Sequence, residues 1–119
     1  MSSPLSFRVR RAFTLIEIMV VVVVIGLLAT IALPAFQRIR TASQDKAVLN
    51  NARQLSAAAD SYFLERGANF AGSSSLIGST NYVKLLGSVA GESYPDDYTQ
   101  GVTVTITGVG GLRTVTYTP

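Results

Sequence analysis

The order of apolar and polar positions divides the N-terminal part of the chain into two unlike stretches. Residues 1–12 are polar and basic, and an almost continuous apolar run follows over residues 13–36. At about 1.5 Å per residue, a helix over this run is about 36 Å long, which is enough to cross a hydrocarbon core of about 30 Å. Val20–Val24 is β-branched, but a backbone in lipid must satisfy its own hydrogen bonds, so the pattern predicts a membrane-spanning helix.

Residues 37–66 have an amphipathic pattern that predicts a continuation of the same helix. Apolar positions recur mostly at three- and four-residue steps, and most charged residues fall on other faces. The apolar stripe consists of Phe36, Ile39, Val48, Ala52, Leu55, Ala59, Tyr62 and Phe63. Gly67 follows Arg66 directly and is expected to end the helix. We therefore expect a single helix over residues 13–66.

The remaining residues, 67–119, predict a small exposed region of loops and strands. A Gly-, Ser- and Asn-rich stretch over 67–81 predicts a surface loop, and residues 82–86 fit either a short helix or a strand. Two alternating runs, 102–107 and 112–118, flank a glycine-rich turn and predict a β-hairpin. An isolated hairpin is marginally stable, so its apolar face should pack on the amphipathic helix. That face consists of Val102, Val104, Ile106, Val115 and Tyr117.

The predicted fold class is therefore α+β. A long N-terminal helix, membrane-spanning in its first half and amphipathic in its second, packs on a small C-terminal antiparallel hairpin or sheet. The predicted divisions are a leader over 1–12, a transmembrane helix over 13–36, an amphipathic helix over 37–66 and the small region over 67–119.

Composition narrows the chemistry that this chain can perform. The 119 residues contain neither cysteine nor histidine, which excludes disulfides, thiolate or imidazole metal sites and histidine-based triads. Glu92, Asp96 and Asp97 share a turn, but three carboxylates fall short of the six to eight oxygens that calcium prefers. The sequence favours a solvated acidic turn there, and calcium binding stays open. We predict no catalytic residue, no metal and no cofactor.

Charge is distributed unevenly along the N-terminal part of the chain. Arg8, Arg10 and Arg11 precede the apolar run, and basic residues beside a membrane span remain in the cytoplasm. Glu17 is the only acid within the run. A carboxylate in a membrane segment costs roughly 2.5–3.5 kcal/mol on insertion scales, so it usually has a partner and a function.

The residues from Arg10 to Glu17 read Arg-Arg-Ala-Phe-Thr-Leu-Ile-Glu. This order, followed by a long apolar run, resembles the N-terminal signature of type IV pilins and the related pseudopilins of type II secretion. The resemblance covers residues 8 to about 40 and includes Pro34. Ala12 stands where the family usually has glycine, which is a mild departure because the side chain is still small. The resemblance implies a pilin-like fold.

The resemblance also implies how the chain is processed and assembled. A prepilin peptidase would cut between Ala12 and Phe13 and methylate the new amine of Phe13. Glu17 would then neutralise that amine in a neighbouring subunit. The alternative for Glu17 is an acid without an assembly role whose side chain reaches toward the membrane interface. Gly26 and Pro34 would mark a kink or local melting that lets subunits repack, although both are also ordinary in membrane helices.

Further expectations concern partners and location. Three of the ten basic residues precede the proposed cut, which leaves seven against seven acids, so no nucleic-acid binding is inferred. The expected partners are copies of the chain and other pilins, the prepilin peptidase, the inner-membrane assembly machinery and, before assembly, membrane lipid. The precursor would cross the bacterial inner membrane once with its N-terminus in the cytoplasm. The mature protein would enter an extracellular pilus or a periplasm-spanning pseudopilus.

The preferred interpretation is a structural, non-enzymatic subunit of a type IV pilus or a pilus-like filament. A pseudopilin of type II secretion or a minor pilin is the alternative within the family. The chain has no tryptophan, whereas major secretion pseudopilins often carry an Asp-Pro-Trp-Gly-like segment, and this favours the pilus. From another class, the chain could be a membrane-anchored monomer that binds a partner. No motif distinguishes adhesion, motility, DNA uptake or secretion, and none indicates glycosylation.

Overall fold

A computed structural model describes residues 11–119 and shows an α+β fold, as predicted. Helix α1 spans Leu15–Arg66, strand β1 Phe70–Gly72, helix α2 Ser73–Leu76, strand β2 Asp97–Thr99, strand β3 Val104–Val109 and strand β4 Arg113–Tyr117. The described residues divide into two units on either side of the boundary between Gln37 and Arg38.

Helix α1 begins and ends close to the predicted positions. It starts at Leu15 and continues without interruption through Gly26 and Pro34. After Arg66, Gly67 has a φ of +62° and donates its backbone N–H to the carbonyl of Phe63 at 2.8 Å. This left-handed residue closes the last turn, which confirms Gly67 as the stop.

The hydrophobic core of the second unit lies along one face of α1. The predicted stripe is correct from Val48 onward, because Val48, Ala52, Leu55, Ala59 and Phe63 are buried. Phe36 and Ile39 are 68% and 67% exposed, so the prediction was wrong for these two positions. The other buried apolar residues are Ala58, Ala71, Leu76, Val83, Tyr98, Val104, Ile106 and Val109.

Strands β3 and β4 form the predicted antiparallel hairpin. Val104 pairs with Tyr117 and Ile106 pairs with Val115, and the register shifts between Ile106 and Val109. The prediction for Val102 was wrong, because it precedes β3 and is half-exposed. Val109 instead belongs to β3 and is fully buried, so the apolar face extends further toward the turn than the alternation indicates.

The loop predicted over residues 67–81 is wrong in part. β1 and β2 form a second antiparallel pair in which Ala71 lies opposite Tyr98, and α2 follows β1 directly. Leu76 in α2 is fully buried. Residues 82–86 form neither a helix nor a strand, and Val83 makes one isolated parallel bridge to Ile77.

Candidate assembly site

The apolar N-terminal part of α1 is left exposed by the residues that the structure describes. Every described residue from Arg11 to Gln37 is exposed. An 18-residue window of α1 near the N-terminus is long and apolar enough to cross a membrane, and none of it is buried. Soluble monomers rarely expose contiguous apolar patches larger than a few hundred Å². This segment therefore requires an apolar environment from outside the chain.

Glu17 forms a reciprocal cap with Thr14 at the start of α1. The backbone N–H of Thr14 donates to Glu17 Oε2 at 2.8 Å, and the backbone N–H of Glu17 donates to Thr14 Oγ1 at 3.4 Å. These two bonds form a capping box, which satisfies backbone donors that the first helical turn leaves free. The carboxylate also lies at the positive end of the helix dipole.

The bond predicted to be cut lies before the helix. Ala12 and Phe13 both precede Leu15 and have no regular secondary structure, and the Phe13 side chain is 83% exposed. This part of the backbone is therefore accessible to an enzyme. Arg11 is exposed as well, whereas Arg8 and Arg10 lie outside the described residues.

Gly26 and Pro34 are both accommodated within the helix. A methyl group added at Gly26 would meet nothing within 4 Å, so the glycine makes no close contact within this chain. Pro34 has no N–H and leaves the carbonyl of Thr30 without its usual donor. The Thr30 hydroxyl donates to the carbonyl of Leu27 at 2.7 Å. The kink and local melting proposed for these positions stay predictions.

The predicted solvated acidic turn is wrong for Glu92. This side chain is only 7% exposed, and it accepts hydrogen bonds from the backbone N–H groups of Val89 at 3.0 Å and Ala90 at 2.7 Å. Ser88 Oγ and the hydroxyl of Tyr94 also donate to it, at 3.2 Å and 2.8 Å. Asp96 and Asp97 are exposed and do not share this site.

Hydrogen bonds keep Glu92 ionised despite its burial. Burial alone would raise the pKa of Glu92, but the backbone N–H groups of Val89 and Ala90 and the phenol of Tyr94 outweigh it and lower the pKa to about 2. Among residues 11–119, no group of three or more acidic, cysteine or histidine side chains is arranged to hold a metal ion. The carboxylate of Glu92 is thus committed to bonds within the loop.

Comparison with known proteins identifies the N-terminal segment. Residues 7–33 match the model of the prokaryotic N-terminal methylation motif. The chain is 42% identical over 60 residues to the fimbrial protein EcpC of Eikenella corrodens, covering 50% of this chain and 39% of that protein. It is 43% identical over 56 residues to the type IV major pilin protein PilA of Myxococcus xanthus, covering 47% of this chain and 26% of PilA.

A third relative matches over a longer stretch. The type IV major pilin protein PilE of Neisseria gonorrhoeae is 36% identical over 83 residues, which cover 63% of this chain and 48% of PilE. The N-terminal segment is similar to those of type IV pilins. The matches extend over less than half the length of these three pilins. No solved structure matches the chain significantly.

The segment that matches the methylation motif, residues 7–33, contains one interaction that the sequence predictions missed. The pair Thr14 and Glu17 has the spacing of a capping box, Thr-x-x-Glu, immediately before an apolar run. That signal is local and readable from the sequence. The hydrogen bonds of Glu92 come from residues only two to four positions away, but they follow no sequence motif comparable to the capping box. Asn51, which bonds to Tyr94, lies 43 residues from Tyr94 and had no local signal either.

Proposed function

We propose that this chain is the structural subunit of a type IV pilus or a pilus-like filament. The observation that supports this most directly is an exposed apolar segment that carries the N-terminal methylation motif. In a membrane this segment would contact lipid, and in a filament it would contact the same segment of other copies. The exchange keeps apolar surface away from water throughout assembly. The chain would be a substrate of an enzyme and would perform no catalysis itself.

Processing would precede assembly. Arg8, Arg10 and Arg11 would hold the N-terminus of the precursor in the cytoplasm. A prepilin peptidase would then cut between Ala12 and Phe13 and methylate the amine of Phe13. The exposed, non-helical backbone at this bond supports such a reaction, because a protease needs access to its substrate.

Glu17 would act in assembly as the partner of the new amine. An unperturbed α-amino group has a pKa of about 7.7–8.0, so the amine of Phe13 is mostly protonated at neutral pH. The carboxylate of Glu17 in a neighbouring copy would neutralise this charge where both groups lie out of water. The bond between the Thr14 N–H and Glu17 supports this role, because it holds the carboxylate at the end of the helix where the amine arises.

The relatives favour a pilus over a secretion pseudopilus. PilA of Myxococcus xanthus and PilE of Neisseria gonorrhoeae are both named major pilins, and EcpC is named a fimbrial protein. A subunit of a pilus would be recovered from sheared surface filaments and identified by its peptides. Recovery only from the cell envelope, together with a secretion apparatus, would point instead to a pseudopilin.

The mass of the intact protein tests the proposal directly. Protein purified from its native host should lack residues 1–12 and carry one additional methyl group. Its start at Phe13 should be confirmed by sequencing the N-terminal peptide. A full-length, unmethylated mass, together with an absence of filaments, would contradict the proposal and favour a membrane-anchored monomer.

A further inference from the structure

One face of α1 in the second unit is turned away from the hydrophobic core and is exposed throughout. Its positions are four and three residues apart in alternation, which is the spacing of the seam between two helices packed side by side. They are Ile39, Ser43, Lys46, Asn50, Arg53, Ala57, Asp60 and Leu64, and all of them are exposed. We call these eight positions the outer seam. Leu64, 86% exposed, and Ile39 are large apolar residues on it without cover from this chain.

Three charges on the outer seam have no ion-pair partner among the residues that the structure describes. Lys46, Arg53 and Asp60 follow one another at intervals of seven residues and so lie in one row. None of them has an opposite charge three or four residues away along α1, where helical ion pairs form. Within residues 11–119 the one salt bridge joins Arg113 to Asp45. In a single copy water solvates this row, so the row is free to pair with charges of another copy.

The order of the charges distinguishes among the ways in which a second, parallel copy can pack on the seam. With no shift, each charged residue would lie beside its own counterpart, and all three contacts would be repulsive. A shift of seven residues would place Arg53 beside Asp60 but also Lys46 beside Arg53. A shift of fourteen residues, about 21 Å along the helix, would place Lys46 beside Asp60 and create no contact between like charges.

The same shift suits the uncharged positions of the seam. It would place Ser43 beside Ala57, and two small side chains allow helices to approach closely. It would also place Asn50 beside Leu64 and Ile39 beside the stem of Arg53, which is apolar. Polar residues at seam positions weaken helix association but fix its register. The exposed apolar segment would supply the affinity, and the outer seam would supply the register.

We propose that the outer seam binds the outer seam of a second copy of this chain, parallel and shifted by fourteen residues, with Lys46 of one copy paired to Asp60 of the next. This inference rests on the proposed function, because a filament of identically oriented subunits is what makes the helices parallel. Each copy carries both partners at different heights, so the contact does not close on itself. It can therefore continue from subunit to subunit along a filament.

Cysteine cross-linking tests the register, because the chain has no cysteine of its own. Within one helix, positions 46 and 60 are about 21 Å apart, whereas a disulfide needs Cα atoms within about 7 Å. Filaments of the double variant Lys46→Cys/Asp60→Cys can thus form disulfides only between copies. Mild oxidation should give a ladder of dimers, trimers and larger species, and each single variant should stay monomeric.

Further cysteine variants distinguish the proposed shift of fourteen residues from other registers of the two helices. Dimers from Asp60→Cys alone would indicate unshifted helices, and a ladder from Arg53→Cys/Asp60→Cys with none from the 46/60 pair would indicate a shift of seven. Either result would overturn the proposal. The pair Lys84→Cys/Asp60→Cys, in which Lys84 lies off the seam, is the control for random collision and should give no ladder.

Charge reversal gives a second, independent measurement. Asp60→Lys should lower the yield of sheared filaments about tenfold, because repulsion replaces attraction at every contact between subunits. Adding Lys46→Asp to the same chain should restore the yield, whereas Asp97→Lys, an exposed acid on β2, should leave it unchanged. Native yield from Asp60→Lys, or no rescue by Lys46→Asp, would overturn the seam. Absence of filaments from the unaltered chain would instead contradict the proposed function.

Discussion

The hydroxyl of Tyr94 donates a hydrogen bond of 2.8 Å to the carboxylate of Glu92 and accepts one of 2.9 Å from the side-chain amide of Asn51. The same amide donates to the carbonyl of Gly87 at 3.1 Å. Asn51 belongs to α1, so these bonds attach the segment from Gly87 to Tyr94 to the helix. Backbone bonds between Ser93 and Thr107, and from the Gly110 N–H to the Ala90 carbonyl, attach the same segment to the β3–β4 hairpin, so the Asn51 network is its link to the helix.

Acid should loosen this network within a defined pH range. The pKa of Glu92 is about 2 in the folded protein, below its ordinary value of 4.5, so the folded state stabilises the charged carboxylate. The resulting stability is complete above about pH 4.5 and is lost as the pH falls toward 2. Over that range the free energy of unfolding should fall by about 3 kcal/mol because of this group.

Glu92→Gln is the variant that tests this range, and Glu65→Gln, an exposed acid, is its control. All five tyrosines lie between residues 62 and 117. The tyrosine band in the near-ultraviolet circular dichroism of the full chain in detergent therefore reports on the second unit alone. Denaturation by urea at pH 6 and pH 3 should show a smaller loss of stability for Glu92→Gln than for the unaltered chain. An equal loss in the two proteins would contradict the assignment.

Tyr94 and Asn51 should be coupled energetically. Tyr94→Phe removes the hydroxyl that joins Asn51 to Glu92 and leaves the buried Glu92 and the half-buried Asn51 with one partner fewer each, which should cost about 1–3 kcal/mol. Asn51→Ala should cost a similar amount. Because both changes break the same bond, the double variant should be less destabilised than the sum by at least about 0.5 kcal/mol. Additive losses in urea denaturation would show that the bond contributes nothing.

Two positions of the hairpin should respond very differently to truncation. Ile106 is fully buried against the core, so Ile106→Ala should lower the free energy of unfolding by about 2–5 kcal/mol. Val102 is 55% exposed, so Val102→Ala should cost less than about 0.5 kcal/mol. Thermal unfolding followed by the tyrosine signal measures both. A similar cost at the two positions would contradict the packing of β3.

The features that were predictable from the sequence are those with a local cause. The helix over the apolar run, the Gly67 stop and the pairing of β3 with β4 each depend on neighbouring residues and were predicted correctly, although β3 begins at Val104 and not at Val102. The pairing of β1 with β2 joins two three-residue strands that are distant in the sequence, so short-range patterns do not reveal it. Glu92 looked like a solvated acid although its donors lie within four residues of it, because no sequence motif marks a loop that folds its own backbone N–H groups around a carboxylate.

The salt bridge between Asp45 and Arg113 should contribute little to stability, although it joins α1 to β4. About a third of each side chain remains exposed, and ion pairs in such positions are worth about 0–1 kcal/mol. Arg113 Nη2 also donates to Gln44 Oε1 at 3.1 Å, so Asp45→Asn leaves Arg113 one partner. Asp45→Asn should therefore lower the urea midpoint only slightly, and raising the salt concentration should shrink the difference. A loss as large as that of Ile106→Ala would overturn this ranking.

Glu17→Gln separates the observed capping by Glu17 from the pairing with the Phe13 amine that we propose. Glutamine at this position of a capping box can still accept the Thr14 N–H through its amide oxygen, so the first turn of α1 should stay intact. It carries no charge, however, and cannot neutralise the amine of Phe13. Hydrogen exchange of residues 14–18 in detergent should thus match the unaltered chain, while filament yield falls at least about tenfold, as expected when one partner of a buried charge pair is removed. Thr14→Ala is the complementary variant, because it removes one capping bond and keeps the carboxylate. It should lower the stability of the helix start by about 1 kcal/mol, which speeds hydrogen exchange in the first turn. If Glu17→Gln assembled normally while Thr14→Ala did not, the cap at the start of the helix would matter for assembly and the charge of Glu17 would not, so pairing with the amine would not be its function.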